Sequence, residues 1–127
     1  MIPSWVEKYV GLPFEIYNCW QLICLVYKKE FNTLIPTYEN EYDDALDKEK
    51  ISKIYARELK LWVKTDVPKP PDIVVCRVKG QPWHAGIMLD EGTMLHTLKH
   101  VNAIVEHYDR FVWKNRVLGF WRYYNWS

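Results

Sequence analysis

The stretch Val67-Pro68-Lys69-Pro70-Pro71 separates two halves of the chain whose apolar residues repeat with different periods, and no other feature constrains the fold as much. Each proline fixes φ and removes a backbone N–H, so the segment is a rigid extended connector. Ahead of it, apolar positions recur three and four residues apart, as in helices. From Asp72 onward they come as short β-rich runs separated by turn residues. Helices followed by strands predict an α+β fold with N-terminal helices packed on an antiparallel sheet.

In the first half, residues 1–10 read as a short amphipathic helix stopped by Gly11 and Pro13. Asn18 is a good N-cap. Cys19, Leu22, Ile23, Val26 and Tyr27 then follow at the spacing of one helix face, which predicts a helix over residues 19–30 ending before Asn32. Cys19 falls in its first turn, where unpaired N–H groups and the helix dipole favour thiolate over thiol and offer donors to an oxyanion. The plain alternative is a small buried hydrophobe, as free cysteines often are. Residues 43–62 carry a second, partly periodic helical pattern with a solvated charged face. Residues 38–66 read as a variable insertion, a candidate lid or partner surface.

The second half predicts strands over residues 72–78, 83–89 and 93–98, with turns at Lys79-Gly80-Gln81-Pro82 and Asp90-Glu91-Gly92. A three-residue loop with Gly92 left-handed pairs Leu89 with Thr93, so that Gly86 faces His96 and His84 lies one diagonal away. Both imidazoles then share one face beside the space left by Gly86. A two-residue loop puts them on opposite faces, so the register decides whether they meet. A further strand over 101–108, a helical turn over 109–114 and a closing strand over 117–124 complete the expectation.

At 127 residues, 49% hydrophobic and 26% charged, residues 1–127 are expected to form a single domain. A formal net charge of +1 gives no electrostatic case for nucleic acid or an anionic membrane. No apolar run is long enough to span a bilayer, and the first ten residues lack the pattern of a signal peptide, so synthesis in the cytoplasm without a signal peptide is expected. Three cysteines, an odd number in no disulfide or zinc pattern, are expected as free thiols.

A cysteine nucleophile needs a base for its proton, and the base needs a third group to fix its ring. Cys19, His84 and His96 supply these types in that order. The stretches Tyr9-Val10-Gly11-Leu12-Pro13-Phe14, Asn18-Cys19-Trp20-Gln21-Leu22, Pro71-Asp72-Ile73-Val74-Val75, His84-Ala85-Gly86-Ile87-Met88-Leu89 and Leu95-His96 surround these residues. In them the sequence resembles the NlpC-type cell-wall cysteine peptidases, with residues 117–123 similar to the family's closing strand. The resemblance implies a papain-like fold with Cys19 as nucleophile, His84 as the base that forms the ion pair, and His96 as its orienting partner. The Cys19 backbone N–H would serve in the oxyanion hole. The implied reaction cleaves an amide in the peptide stem of bacterial peptidoglycan, with no metal or organic cofactor. The short interval from Gly11 to Cys19 and the Cys19-Trp20 pair look most like versions encoded by tailed bacteriophages, which implies a virion location among tail-tip or tail-assembly proteins. Asn18 replaces the usual Asp, Pro71 stands where Gly is frequent, and the bulk of Gln21 and Trp83 is expected to narrow the cleft.

Rival readings are a zinc site on Cys19, His84 and His96, which lacks a fourth ligand, and His100 or His107 in place of His96. A structural tail protein with little or no hydrolytic activity, or an injected antibacterial amidase, fits the same residues. Cys24 and Cys76 read as core.

Overall fold

The computed structural model describes residues 1–38, 48–78 and 81–126. The first ten residues hold a 3-10 helix, Ser4–Lys8, in place of the expected amphipathic helix, and Gly11 ends this region at φ +91°. Helix α1 follows at Cys19–Phe31. Asn18 caps it through its side chain, which accepts from the Gln21 backbone N–H at 3.0 Å, while Gln21 Oε1 accepts from the Asn18 N–H at 3.4 Å. These reciprocal bonds satisfy two of the donors that every helix start leaves open. Gln21 therefore acts as a cap, a use that its bulk alone did not suggest. At the other end Asn32 takes the left-handed conformation, and Lys28 and Lys29 lie in the last turn beside the negative pole.

Leu22, Ile23, Val26 and Tyr27 are fully buried against Ile73, Val75, Ala85, Ile87 and Leu95 of the sheet. Burial of each apolar side chain contributes on the order of 2 kcal/mol. Helix α2, Lys48–Leu59, lies over β3 with Ile51, Ile54 and Tyr55 inward. The part of the expected second helix within residues 39–47 lies outside the described residues, as do Lys79 and Gly80 of the expected turn.

The strands are β1 (Val63–Thr65), β2 (Ile73–Val78), β3 (Gln81–Asp90), β4 (Thr93–Leu98), β5 (Asn102–His107) and β6 (Val117–Arg122). They form one antiparallel sheet in the order β1-β6-β2-β3-β4-β5. Four details depart from the sequence reading. Gln81 and Pro82 belong to β3 rather than to a turn, and β1 was not foreseen. Residues 109–114 make turns and bends, not a helical turn. The last strand inserts between β1 and β2, so the sheet is not a simple meander.

The hairpin between β3 and β4 is a further correction. Asp90 pairs with Thr93, so only Glu91 and Gly92 form the tip, whereas Met88 pairs with Met94 and Ile87 with Leu95. A shift between Met88 and Asp90 takes up the extra residue. Beyond that bulge the register is the one expected from a three-residue loop. A Cβ on Gly86 would lie 3.1 Å from His96 Cβ and 2.9 Å from Met94 Sδ, so the close approach there requires glycine.

Asp72 ties the connector to the sheet. Its carboxylate is buried and accepts from Arg122 Nε at 3.0 Å and Nη2 at 2.8 Å, and from the Lys69 backbone N–H at 2.9 Å. A two-pronged guanidinium contact with a buried carboxylate fixes geometry as well as charge. Arg122→Ala strands that carboxylate and is expected to cost about 3 kcal/mol in urea unfolding, whereas a loss below about 1 kcal/mol would show that the pair matters little.

Candidate active site

The bulged register brings His84 and His96 together on one sheet face. His84 Nε2 lies 2.8 Å from His96 Nδ1, and His96 Nε2 lies 2.7 Å from Glu106 Oε1 on β5. Both rings are buried, His96 completely. Trp113, from the turns after β5, stacks on His84 with ring centroids 5.0 Å apart and planes 12° apart, and its Nε1–H donates to Glu106 Oε1 at 3.3 Å. The expected rivals of His96 lie elsewhere. His100 is exposed in the β4–β5 turn at φ +70°, and His107 pairs with Asp109 at 3.7 Å.

Cys19 occupies the first turn of α1 as expected, half-buried, with Sγ 3.1 Å from the Tyr55 hydroxyl of α2. Backbone groups of Ala85, Trp20 and Cys19 itself also hydrogen-bond to the sulfur. Ala85 is next to His84, so β3 carries both the imidazole and a backbone group that touches the thiol. Cys24 is buried with its Sγ 3.6 Å from the Pro36 carbonyl, and Cys76 is buried in β2 with its thiol pushed up to about 12 by burial. All three cysteines are free thiols. Among the described residues no group of three His, Cys, Asp or Glu side chains is placed to hold a metal ion.

The electrostatics correct one expectation. Burial raises the Cys19 thiol above its ordinary value, and the opposing hydrogen bonds from Tyr55 and the three backbone groups do not outweigh it. Burial likewise lowers His84 to about 3, helped by the neighbouring His96, and His96 to about 4. Burial thus favours a thiol and two neutral imidazoles at rest over an ion pair.

Beside His84 and Trp113 is a cavity of about 440 Å³ whose lining includes Phe14, Thr97, Lys99 and Arg116. The Thr97 hydroxyl is buried there with no hydrogen-bond partner among the described residues. Sequence reasoning missed Tyr55, Glu106 and Trp113. Tyr55 sits in a segment without a motif, while Glu106 could have been placed opposite Met94, and so next to His96, once β5 was registered on β4.

A histidine in the unfolded chain takes up a proton near pH 6.5, whereas folded His84 and His96 do so only near 3 and 4. Between these limits the unfolded chain binds more protons, so stability is full above 6.5 and is lost as pH falls. Urea unfolding is expected to show a loss on the order of 1 kcal/mol per histidine per pH unit below 6.5, levelling off near 4 for His96 and near 3 for His84. A variant carrying His84→Asn and His96→Asn is expected to flatten that slope; an unchanged slope would place the proton uptake elsewhere.

Comparison with known proteins gives the family. The model of the NlpC/P60 family matches residues 8–122. Among solved structures, an NlpC/P60 family protein from Bacillus cereus superposes with a TM-score of 0.64 at 16% identity, over 97% of this chain and 41% of that one. A lipoprotein-like NLP/P60 family protein from Staphylococcus aureus gives a TM-score of 0.60 at 16% identity, over 91% of this chain and 38% of that one. The chain thus spans about two fifths of the length of each. No protein of curated function matches its sequence. These likenesses agree with the two helices on a six-stranded antiparallel sheet, and the chain belongs to the NlpC/P60 family.

Proposed function

We propose that the protein is a cysteine hydrolase that cleaves an amide bond in the peptide stem of bacterial peptidoglycan, with Cys19 as nucleophile, His84 as base and His96 as the group that orients His84. The observation that carries this reading is the His84–His96 hydrogen bond at 2.8 Å on the strand whose Ala85 backbone meets the Cys19 sulfur. Cys19 Sγ attacks the carbonyl carbon while its proton passes to His84. The tetrahedral intermediate collapses with cleavage of the C–N bond, and His84 returns the proton to the departing amine. Water, deprotonated by His84, then hydrolyses the thioester to a carboxylic acid and restores the thiol. Because the resting groups are neutral, charge separates only as the thiol proton moves. The developing oxyanion is served by the Cys19 backbone N–H at the start of α1.

The cavity beside His84 suits one side of a stem peptide, with Lys99 and Arg116 available to its carboxylates. A place in a phage tail tip rests on the short interval from Gly11 to Cys19 and the Cys19-Trp20 pair. The Tyr55 contact with the Cys19 sulfur favours a second element of the reading: α2 covers the thiol at rest, so full activity requires that α2 yield to substrate or to an assembled partner.

Digestion of purified peptidoglycan by the wild type beside Cys19→Ala, with mass spectrometry of the released stem peptides, tests the reaction. Cleavage by the wild type alone is expected and would name the bond; no cleavage by either folded protein, alone or with α2 shortened, would turn the reading to a structural tail protein. Iodoacetamide is expected to label Cys19 ahead of the buried Cys24 and Cys76, and more slowly in His84→Ala. Equal labelling of all three thiols would remove the case for an activated Cys19.

A further inference from the structure

We infer that Glu106 is a positioning residue that fixes the direction of the hydrogen-bond chain Glu106–His96–His84, and thereby leaves Nδ1 of His84 as the unprotonated nitrogen. This rests on the reading of His84 as the base.

The argument is one of counting protons. A neutral imidazole has one N–H, yet both nitrogens of His96 are engaged, Nδ1 by His84 at 2.8 Å and Nε2 by Glu106 at 2.7 Å. An ionised carboxylate can only accept, so the His96 proton must be on Nε2. His96 Nδ1 then holds a lone pair and can only accept, so His84 must donate from Nε2. His84 has no second proton while neutral, and its Nδ1 is left free to take one. Reversing the chain places hydrogen on His84 Nδ1 and removes the base.

Nothing else among the described partners of this pair breaks the symmetry. The two imidazoles could pass a proton in either direction, and Trp113 stacks on His84 without a hydrogen bond to either ring in the described set. Trp113 instead donates to the same Glu106 oxygen at 3.3 Å, which helps hold that oxygen in front of His96. Glu106 lies on β5, an edge strand, with its side chain 35% exposed, so replacing it does not empty the core.

Nitrogen-15 NMR of histidine-labelled protein at pH 7 reads the tautomers directly. In the wild type, His84 and His96 are expected to be Nε2–H, with both Nδ1 atoms unprotonated; hydrogen on His84 Nδ1 would overturn the inference without any variant. In Glu106→Ala the His84 Nδ1–H form is expected to appear, and Cys19 alkylation to slow by about tenfold or more, as when a triad histidine is held in the wrong tautomer. Glu106→Gln keeps an accepting oxygen and is expected to restore both readouts to within a few-fold. Unchanged nitrogen shifts and alkylation in Glu106→Ala would also overturn it. The shifts are measured without substrate, so failure to cleave peptidoglycan and failure of the tautomer assignment are separate results.

Discussion

The site depends on where one extra residue sits in the β3–β4 hairpin. Side chains alternate along a strand, so a one-residue change of register would send His84 and His96 to opposite faces. The chain meets this with a tight Glu91-Gly92 tip and a bulge between Met88 and Asp90, after which Ile87 pairs with Leu95 and the histidines meet. Gly92, at φ +116°, accommodates the tip, and Gly86 accommodates the approach of β4 to the ring pair. The same alternation faces Ala85 and Ile87 toward α1 and leaves His84 under Trp113. One strand therefore supplies both the floor beneath the thiol and the imidazole.

Burial then decides the charge state. The N-terminus of α1 offers the donors that ordinarily lower a thiol, and Tyr55 adds another, yet the sulfur is so enclosed that desolvation prevails. The same desolvation keeps both imidazoles neutral. These are one effect acting on groups of opposite charge type. An enclosed site penalises the thiolate and the imidazolium alike, so each is held in its neutral form until the other, or a substrate, compensates.

The elements whose local signals agree with their surroundings were legible in the sequence. The Asn18 cap and the apolar face from Leu22 to Tyr27 gave α1 within one residue at its end, and the β-rich runs gave β2 to β6 nearly in place. Cys19, His84 and His96 were singled out as candidates by residue type, a stated register and the family resemblance, and the structure bonds the two histidines to each other. The unread parts depend on distant partners. β1 is three residues of mixed character that become a strand only because β6 lies beside them. Pro82 reads as a turn residue, but it stands in β3 next to the irregular pairing at Cys76 and Arg77, where the ladder is already broken. The helix dipole argued for a thiolate because the sequence shows the donors of α1 but not how deeply α2 encloses the sulfur.

That enclosure bears on how such a site can work at all. A thiolate permanently exposed at a helix start is open to oxidation and to stray electrophiles, since reactivity follows thiolate character and access together. Here both are reduced at rest: Tyr55 stands against the half-buried sulfur, and burial favours the thiol. On the proposed reading, a substrate that displaces the Tyr55 contact brings its own polar carbonyl to the backbone donors, and the proton then has an acceptor if His84 Nδ1 is free. The carboxylate of Glu106 acts at the far end of the same chain, where its charge raises His84 against the larger effect of burial and its hydrogen bond to His96 sets the direction of the chain. In the proposed reading, release of the Tyr55 contact on one side of β3 and proton direction on the other are two separate controls on a single sulfur.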